Sequence, residues 1–260
     1  MKTALITGAS GGIGYELAKV FARHKHNLVL VARNGNKLEQ LAQELRQKFG
    51  VKVLVLAQDL SLPNAANLIF DQLQSKSIRV DFLVNNAGFG NFGFFMETDW
   101  VKEEQMINLN ITALTHFTKL FGLEMVKHKY GCIMNVASTA AFQPGPLLAV
   151  YCATKAYVLS FSEAIANELK DTGVTVTALC PGPTQTGFLE AAALEDSGLF
   201  KGKKLPTARE VAEYGYTALM VGKTVAIEGT TNQLMARSVK FFPRKWVTAM
   251  ARKMTERVKS

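Results

Sequence analysis

A tyrosine and a lysine stand four positions apart, at Tyr151 and Lys155. On a helix, residues at this spacing lie side by side on one face. A free tyrosine has a pKa of about 10 and exchanges protons poorly at neutral pH, but a nearby ammonium favours the phenolate and lowers that pKa. The pair therefore predicts that Tyr151 gives a proton to a reacting oxygen or takes one from it. The same spacing also occurs by chance on protein surfaces, so the surrounding sequence has to decide.

A glycine-rich turn directly follows the first apolar run of the chain and precedes a helical pattern. It has the sequence Thr-Gly-Ala-Ser-Gly-Gly-Ile-Gly over residues 7–14. Glycines permit a tight turn and let a pyrophosphate approach the backbone amides, and the helix that follows adds free N–H groups and positive potential. We expect a dinucleotide to bind here, and the candidate contacts are Gly8, Ser10, Gly12, Ile13 and Gly14.

The second predicted strand ends in Val-Ala-Arg-Asn at residues 31–34. An acid at this place commonly accepts hydrogen bonds from the ribose hydroxyls of NAD, and this stretch has none. Arg33 can instead pair with the 2′-phosphate of NADP, an interaction worth about 1.5–3 kcal/mol. The predicted cofactor is therefore NADP(H), and the alternative is that Arg33 is a solvated loop residue.

These candidates lie at the ends of apolar, β-branched runs that alternate with helical patterns. The runs are continuously apolar, which is typical of parallel strands covered on both faces. Strands are predicted at residues 3–7, 28–32, 52–56, 81–84, 132–136, 174–179 and 225–228, and helices at 13–24, 37–49, 64–75, 100–127, 151–171 and 208–221. This order predicts an α/β fold with a doubly wound parallel sheet of about seven strands and helices on both faces. Ligands of such sheets bind outside the carboxyl ends of the strands.

The length of 260 residues and the hydrophobic content of 48% suit one large domain. We assign residues 1–235 to this domain, and 236–260 to a basic amphipathic segment that is not a domain of its own. No stretch approaches the ~20 apolar residues of a membrane-spanning helix, and the first apolar run is too short for a secretory signal, so a cytoplasmic protein is expected. The three cysteines and four histidines show no metal-ligand spacing, and no metal site is expected.

The motifs and their order resemble those of the short-chain dehydrogenase/reductase family, in its NADP-preferring carbonyl reductase type. The glycine spacing is similar to the family's cofactor turn, and Ser138 followed by the run from Tyr151 to Lys155 resembles its active-site signature. The resemblance implies a Rossmann-type fold and hydride transfer between a nicotinamide and a ketone or secondary alcohol. It also implies that Ser138 hydrogen-bonds the reacting oxygen.

The family's fourth catalytic residue is an asparagine that distorts its helix and holds a water in a proton relay to the lysine. Asn110 matches it, because the family's asparagine precedes the helical run that follows here. Asn108 is a second candidate two residues away. The catalytic set implied by the resemblance is Asn110, Ser138, Tyr151 and Lys155.

The resemblance also implies cofactor contacts after later strands. Asp59 and Leu60 would cup the adenine, unless Asp59 only caps the helix that follows. Residues 85–88 match the family's Asn-Asn-Ala-Gly, and residues 181–186 match its Pro-Gly-x-x-x-Thr, whose threonine meets the nicotinamide carboxamide; Thr186 fits this spacing and Thr184 is the second candidate. The implied contacts are Asp59, Leu60, Asn86, Ala87, Gly88, Tyr151, Lys155, Pro181, Gly182, Thr184 and Thr186. A homodimer or homotetramer is implied as well.

Large apolar residues crowd the loops around these motifs. They are Phe89, Phe92, Phe94, Phe95, Phe142, Leu147, Leu148, Phe188 and Leu189. They predict an apolar substrate pocket for a carbonyl or alcohol substrate such as a long-chain 3-oxoacyl thioester, a steroid-like ketone or an aromatic ketone. The alternative is that these loops pack against the body of the protein or against a second subunit.

The net charge of +9 is concentrated in residues 237–260, which hold eight Lys or Arg and one Glu. Trp246, Met250, Met254 and Val258 recur every four residues there, which predicts a basic amphipathic helix. We expect this helix to pack on its own domain or on a second subunit. Contact with an anionic membrane surface is the alternative, and a regulatory protein that only binds NADPH or docks on a membrane would use the same segment. The charge is local and no nucleic-acid motif is visible, so a nucleic-acid partner is not expected.

Overall fold

A computed structural model describes residues 1–187 and 205–256, and it contains one parallel sheet. The strands of this sheet are β1 (Thr3–Thr7), β2 (Asn27–Ala32), β3 (Val53–Ala57), β4 (Phe82–Asn85), β5 (Gly131–Val136), β6 (Val174–Cys180) and β7 (Val225–Ile227). They are hydrogen-bonded in the order β3-β2-β1-β4-β5-β6-β7. The order reverses between β1 and β4, and ligands of open parallel sheets bind at such a reversal.

Helices cover both faces of the sheet. They are α1 (Gly12–Arg23), α2 (Gly35–Phe49), α3 (Ala65–Ser75), α4 (Trp100–Ile107), α5 (Leu114–Lys127), α6 (Ala149–Glu168), α7 (Ala208–Met220), α8 (Thr230–Ser238) and α9 (Arg244–Thr255). A π-helical turn, Asn108–Ala113, joins α4 to α5, and short 3-10 turns occupy Thr139–Phe142 and Val239–Phe241.

An apolar layer lies between each helical face and the sheet. On one face, the Phe21 ring packs against Phe82 and Tyr216, with ring centroids 5.4 and 4.9 Å apart. On the other face, Phe117 and Phe121 stack at 5.9 Å. The central strands β1 and β4 are buried over nearly their whole length, and their sequences are therefore continuously apolar rather than alternating.

The predicted strands are confirmed to within one residue at each end, including the weak one at residues 225–228, which is the edge strand β7. The single helix predicted over 100–127 is wrong, because the π turn interrupts it and divides it into α4 and α5. The helix predicted over 151–171 starts earlier, at Ala149, and ends at Glu168. Helix α8 was not predicted, because it is short and largely polar. The amphipathic helix predicted after residue 243 is α9.

Candidate active site

One large cavity, of about 1280 Å³, opens along the carboxyl edge of the sheet. Pockets for a single small ligand typically hold about 300–1,000 Å³, so this one has room for two. The wall after β1, β2 and β4, here called the glycine-turn end, contains Gly8, Gly11, Gly12, Ile13, Arg33, Asn86, Ala87 and Gly88. The wall after β5 and β6 contains Ser138, Tyr151, Lys155, Pro181, Gly182, Thr184 and Thr186.

The glycine turn is shaped by the close approach of Asn86. The Nδ2 atom of Asn86 donates to the carbonyl oxygens of Thr7 and Gly8, at 2.9 and 3.3 Å. Gly8 has a φ of 67°, and a Cβ there would lie 2.8 Å from this Nδ2 atom. A Cβ on Gly14 would collide with the same amide. Both glycines are therefore required for the contact between the ends of β1 and β4.

The N-terminus of α1 forms the wall next to this turn. The lining there consists of Gly11, Gly12 and Ile13. The first turn of α1 carries no acidic residue, and a Cβ on Gly11 would project into open space. The backbone amides and the positive end of the helix dipole are thus accessible to an anion. This wall fits the diphosphate of a dinucleotide.

Arg33 lies exposed at the mouth of the cavity, directly after β2. The next residue, Asn34, caps α2 by accepting a hydrogen bond from the Lys37 N–H at 3.0 Å. The chain therefore turns into α2 immediately after Arg33, and the Arg33 side chain stays at the cavity edge. A positive charge is available on this wall.

Ser138 and Tyr151 meet in the middle of the cavity. Ser138 follows β5, and Tyr151 lies in the first turn of α6. Burial raises the pKa of Tyr151 to about 12, and a hydrogen bond with the Ser138 side chain opposes this rise. The pKa is therefore raised and not lowered as the spacing of Tyr151 and Lys155 predicted, because burial disfavours the phenolate more strongly than the hydrogen bond with Ser138 favours it.

Lys155 is buried one helical turn after Tyr151. Its Nζ atom donates to the carbonyl oxygen of Val136 at 2.8 Å and lies 5.9 Å from the centre of the Tyr151 ring. Burial lowers the pKa of Lys155 from its usual 10.5 to about 8. The ammonium therefore persists beside Tyr151 below about pH 8 and is lost above it.

Asn110 is fully buried in the π turn. Its side chain accepts a hydrogen bond from the Phe89 N–H at 3.2 Å and donates to the Phe89 carbonyl at 3.0 Å. It also donates to the Thr154 hydroxyl at 3.0 Å. Asn110 therefore fastens the loop after β4 to α6, the helix that carries Tyr151 and Lys155, while lying behind the cavity wall rather than on it. Such π-helical turns are frequent at functional sites.

The loop after β6 touches the glycine turn. The Thr186 side chain lies 3.4 Å from the position that a Cβ on Gly12 would occupy. Thr184 is buried, and its hydroxyl donates to the Gly182 carbonyl at 2.8 Å. The hydroxyl of Thr184 is thus engaged within the loop, whereas Thr186 is the threonine that lies against the turn.

A buried network of hydrogen bonds supports the site from behind and was not predicted. Asn85 donates to Thr118 at 3.0 Å and to Asn135 at 2.9 Å, and Asn135 donates to Ser162 at 3.0 Å. The network joins β4 and β5 to α5 and α6. Asparagines inside otherwise apolar strands are the sequence signal for it, because a buried amide requires partners.

Some of the predicted cofactor contacts do not line the cavity. The Asp59 carboxylate accepts hydrogen bonds from the backbone N–H and the hydroxyl of Ser61, at 2.9 and 2.7 Å. Leu60 is buried in the apolar layer. Asp59 thus stabilises the turn before α3, which is close to the capping role considered as the alternative. Two more of the predicted cofactor contacts, Ser10 and Gly14, do not line the cavity either. Gly11, which was not among the predicted contacts, does line it.

The predicted apolar pocket is present in part. Phe89, Phe142 and Leu148 line the cavity. The interpretation of Phe94 and Phe95 as pocket residues is wrong, because they lie outside it with 50% and 51% of their surface exposed. The remaining predicted residues are Phe92 and Leu147, which are not on the wall, and Phe188 and Leu189, which lie outside the described residues.

Residues of α8 and α9 complete the wall opposite the glycine turn, here called the α9 end. They are Thr230, Thr231, Asn232, Met235 and Ala236 of α8, and Ala251, Met254 and Thr255 of α9. The Thr255 hydroxyl lies 3.0 Å from the Pro146 carbonyl oxygen, although the two residues are 109 positions apart in the chain. It lies at the same distance from the Ala251 and Arg252 carbonyl oxygens of its own helix, so its one proton has three acceptors. The helix predicted from the spacing of its apolar residues is therefore part of the site, which no motif in its sequence indicated.

The part of the chain that the structure describes contains no group of three or more side chains that could hold a metal ion. Within the same residues, no helix has both the length and the apolar character needed to cross a membrane. Cys132, Cys152 and Cys180 are free thiols.

Comparison with known proteins agrees with this geometry. Residues 2–196 match the family model described as short chain dehydrogenase. The chain is 34% identical over 181 residues to mouse (Mus musculus) 17-beta-hydroxysteroid dehydrogenase type 3, and 32% identical over 184 residues to human (Homo sapiens) very-long-chain 3-oxoacyl-CoA reductase. Each match covers 68% of this chain and 58% of the relative, so the chain spans less than two thirds of these relatives.

The fold is shared with solved structures as well. The short-chain dehydrogenase from Sphingobium yanoikuyae in complex with NADPH superposes with a TM-score of 0.83 at 32% identity. The superposition covers 93% of this chain and 94% of that one. In sequence and in fold, this chain belongs to the short-chain dehydrogenase family.

Proposed function

We propose that this protein is an NADP(H)-dependent oxidoreductase that interconverts an apolar ketone and a secondary alcohol. The observation that carries the proposal is that one cavity joins the glycine turn and Arg33 to the group formed by Ser138, Tyr151 and Lys155. A site for an anionic dinucleotide and a site for proton transfer thus share one space.

The fit of a nicotinamide cofactor rests on the glycine-turn end. The amides at the start of α1 would hold the diphosphate, and Arg33 would pair with the 2′-phosphate that distinguishes NADP from NAD. Thr186 would lie near the nicotinamide. When bound, the reduced cofactor supplies a hydride to the carbonyl carbon of the substrate. The complex of the Sphingobium yanoikuyae relative contains NADPH.

Tyr151 supplies the proton that the substrate oxygen needs once its carbon has been reduced. Because burial raises the pKa of Tyr151 to about 12, the phenol is protonated at neutral pH and ready to donate. Donation leaves a phenolate, which the hydrogen bond from Ser138 and the Lys155 ammonium stabilise. In the direction of alcohol oxidation, the same phenolate takes the proton back.

The α9 end favours an apolar substrate. Met235 and Met254 lie on this wall together with the polar residues Thr230, Thr231, Asn232 and Thr255, and Phe89, Phe142 and Leu148 line the cavity elsewhere. An apolar lining with a small number of polar groups is typical of pockets for hydrophobic ligands. The two relatives named above act, by their names, on a 17-beta-hydroxysteroid and on a very-long-chain 3-oxoacyl-CoA. A long-chain 3-oxoacyl thioester or a steroid-like ketone is therefore the proposed substrate class.

The reaction is tested by mixing the protein with NADPH and a panel of ketones of increasing chain length, and following the absorbance of the reduced nicotinamide. A parallel series uses NADH. We expect turnover with NADPH, little with NADH, and a preference for long or polycyclic ketones. Tight NADPH binding without turnover of any ketone would contradict the proposed reaction.

The role of Tyr151 is tested by Y151F, which removes only the phenol hydroxyl. We expect kcat to fall by at least about 10²–10⁴-fold, with the dissociation constant of NADPH unchanged within a factor of about three. The matched control is Y157F in the same helix, whose hydroxyl hydrogen-bonds to Thr115 on the surface at 3.0 Å. Retained activity in Y151F would refute the role.

A further inference from the structure

Helix α9 has two apolar faces, and only one of them is used for packing. Val247, Ala251 and Thr255 are buried against the body of the protein. Trp246 and Met250 stand on another face, and 58% and 65% of their surfaces are exposed. The sequence predicted that this helix packs on its own domain or on a second subunit. The residues that pack on the domain are Val247, Ala251 and Thr255, while Trp246 and Met250 point to solvent.

The orientation of α9 is fixed and leaves this face outward. Thr255 is buried at one end, with its hydroxyl 3.0 Å from the Pro146 carbonyl oxygen, and Val247 is buried at the other. On the exposed face, Lys253 stands three and seven positions after Met250 and Trp246, so the three side chains share one stripe. The stripe cannot be covered by a small rotation of the helix without unpacking the buried face.

Further exposed aromatic side chains stand close to this stripe in the chain. Phe241 and Phe242 lie just before Pro243, the residue that precedes α9, and both are exposed. We call the set Phe241, Phe242, Trp246 and Met250, together with the basic residues described next, the aromatic–basic surface. Exposed apolar groups that cluster in this way mark an interaction site.

Basic side chains border the exposed apolar groups. From Arg237 to Glu256, six residues are basic and one is acidic, a difference of +5: Arg237, Lys240, Arg244, Lys245, Arg252 and Lys253 against Glu256. Arg252 pairs with Glu256 at 2.8 Å. The segment that carries the exposed apolar groups is therefore strongly positive.

We propose that the aromatic–basic surface docks the protein on the face of a lipid bilayer that carries anionic headgroups. Trp and Phe side chains insert at the boundary between headgroups and acyl chains, and Lys and Arg bind the negative headgroups. Both the apolar and the basic residues of the surface are needed for binding, because an amphipathic helix binds a bilayer through its apolar area and its charge together.

The positive charge of the aromatic–basic surface favours an anionic bilayer over a second copy of the chain as its partner. In a symmetric dimer the same patch faces itself, so each basic border would be placed against another basic border. Like charges at close range oppose such a contact. An anionic bilayer complements the same charges instead.

The surface also lies over the α9 end of the cavity. Ala251, Met254 and Thr255 line the cavity from the inner side of the helix whose outer side carries Trp246 and Met250. A protein docked in this way holds the α9 end of the cavity next to the bilayer. The docking itself does not depend on the proposed reaction.

Docking is tested by sedimentation of the full chain with vesicles of phosphatidylcholine and phosphatidylglycerol in roughly a 2:1 ratio, and with vesicles of phosphatidylcholine alone. We expect binding to the mixed vesicles, weakened by salt, and at least about tenfold weaker binding to the neutral ones. The double variants W246S/M250S and K245E/K253E should each weaken binding to the mixed vesicles by at least about tenfold. Neither pair lines the cavity, so turnover in the absence of vesicles should stay unchanged.

Matched controls change the same kinds of residue elsewhere. L68S alters an exposed apolar residue of α3, and K48E/K76E reverses two exposed lysines near the opposite edge of the sheet. Both should bind vesicles like the unsubstituted protein. Absence of binding, equal binding to neutral vesicles, or equal losses in the controls would each overturn the proposal. Loss of a dimer in W246S/M250S, seen by sedimentation equilibrium without any vesicle binding, would also overturn it and assign the surface to self-association.

Discussion

The two ends of the cavity are built in different ways. The glycine-turn end consists of residues that stand within a few positions of the carboxyl ends of β1, β2 and β4, and its shape depends on backbone contacts such as that between Gly8 and Asn86. The α9 end consists of side chains brought from distant parts of the chain, and its shape depends on their size. We therefore expect substitutions at the first end to change cofactor binding, and substitutions at the second to change the choice of substrate. The residues between the two ends should control the reaction itself.

The largest effect is expected between the two ends, at Lys155. K155M removes the ammonium beside Tyr151, and turnover should fall by about 10²–10⁴-fold for every substrate. The same change should stabilise the fold. The lowering of the lysine pKa from 10.5 to about 8 corresponds to about 3 kcal/mol, and the lost hydrogen bond to Val136 offsets about 1 kcal/mol of it. Calorimetry at pH 7 should show a Tm roughly 4–8 °C higher, and K170M, at an exposed lysine, should not change it.

The stabilisation by K155M should depend on pH. Lys155 loses its proton near pH 8 in the folded protein and near pH 10.5 in the unfolded chain. Between these values the unfolded state binds more protons, so the unsubstituted protein gains stability with rising pH relative to the variant. Denaturant titrations should show the variant more stable below pH 8, and slightly less stable than the unsubstituted protein by about pH 10.5, because only the loss of the hydrogen bond to Val136 then remains. If the difference in stability between K155M and the unsubstituted protein did not change with pH, the buried ammonium would not be the cause of that difference.

A smaller and more selective effect is expected at the glycine-turn end. R33A removes the positive charge at the cavity mouth, and the dissociation constant of NADPH should rise by about 10–100-fold. NADH binding should barely change, because NADH lacks the 2′-phosphate. Fluorescence titration of both cofactors measures this, and R79A, at an arginine paired with Asp81, is the control. An equal loss for both cofactors would remove the assignment of Arg33 to the 2′-phosphate.

The smallest effect is expected at the α9 end. M254A shortens one apolar side chain of the wall, and KM for the longest ketones should change by about three- to tenfold, while NADPH affinity stays constant. Steady-state kinetics over a series of chain lengths measures the change. M220A, at a half-exposed methionine of α7, provides the comparison. If NADPH affinity falls in M254A instead, the two ends are not separate in function.

Much of the glycine-turn end could be predicted from the sequence, because its residues lie directly after strands whose apolar character identifies them. Gly8, Arg33 and Asn86 could be assigned to the site once the ends of β1, β2 and β4 had been predicted. The role of Asp59 was harder to predict, because a carboxylate after a strand can either bind a ligand or accept hydrogen bonds from the turn that follows. Ser61 is only two positions away, and this closeness in the chain favours the hydrogen bond within the turn. Sequence alone does not show which of these contacts forms.

The α9 end could not be predicted in the same way. The contact between Thr255 and Pro146 depends on how the whole chain folds, and neither residue belongs to a motif. The spacing of apolar residues indicated the helix, but not which of its faces packs on the domain. A helix with a face of small residues and a face of large ones is ambiguous in sequence, because close packing against a loop favours alanine and threonine over tryptophan.

The late position of α9 in the chain has a consequence for biosynthesis. Every residue of the glycine-turn end and of the reacting centre lies before residue 187, whereas Thr255 emerges 69 residues after Thr186. At about 5–20 residues per second, translation needs roughly 3–14 s to cover that distance. A nascent chain can therefore complete the glycine-turn end while the opposite wall is still missing, and we expect it to discriminate among substrates only after that wall has been made.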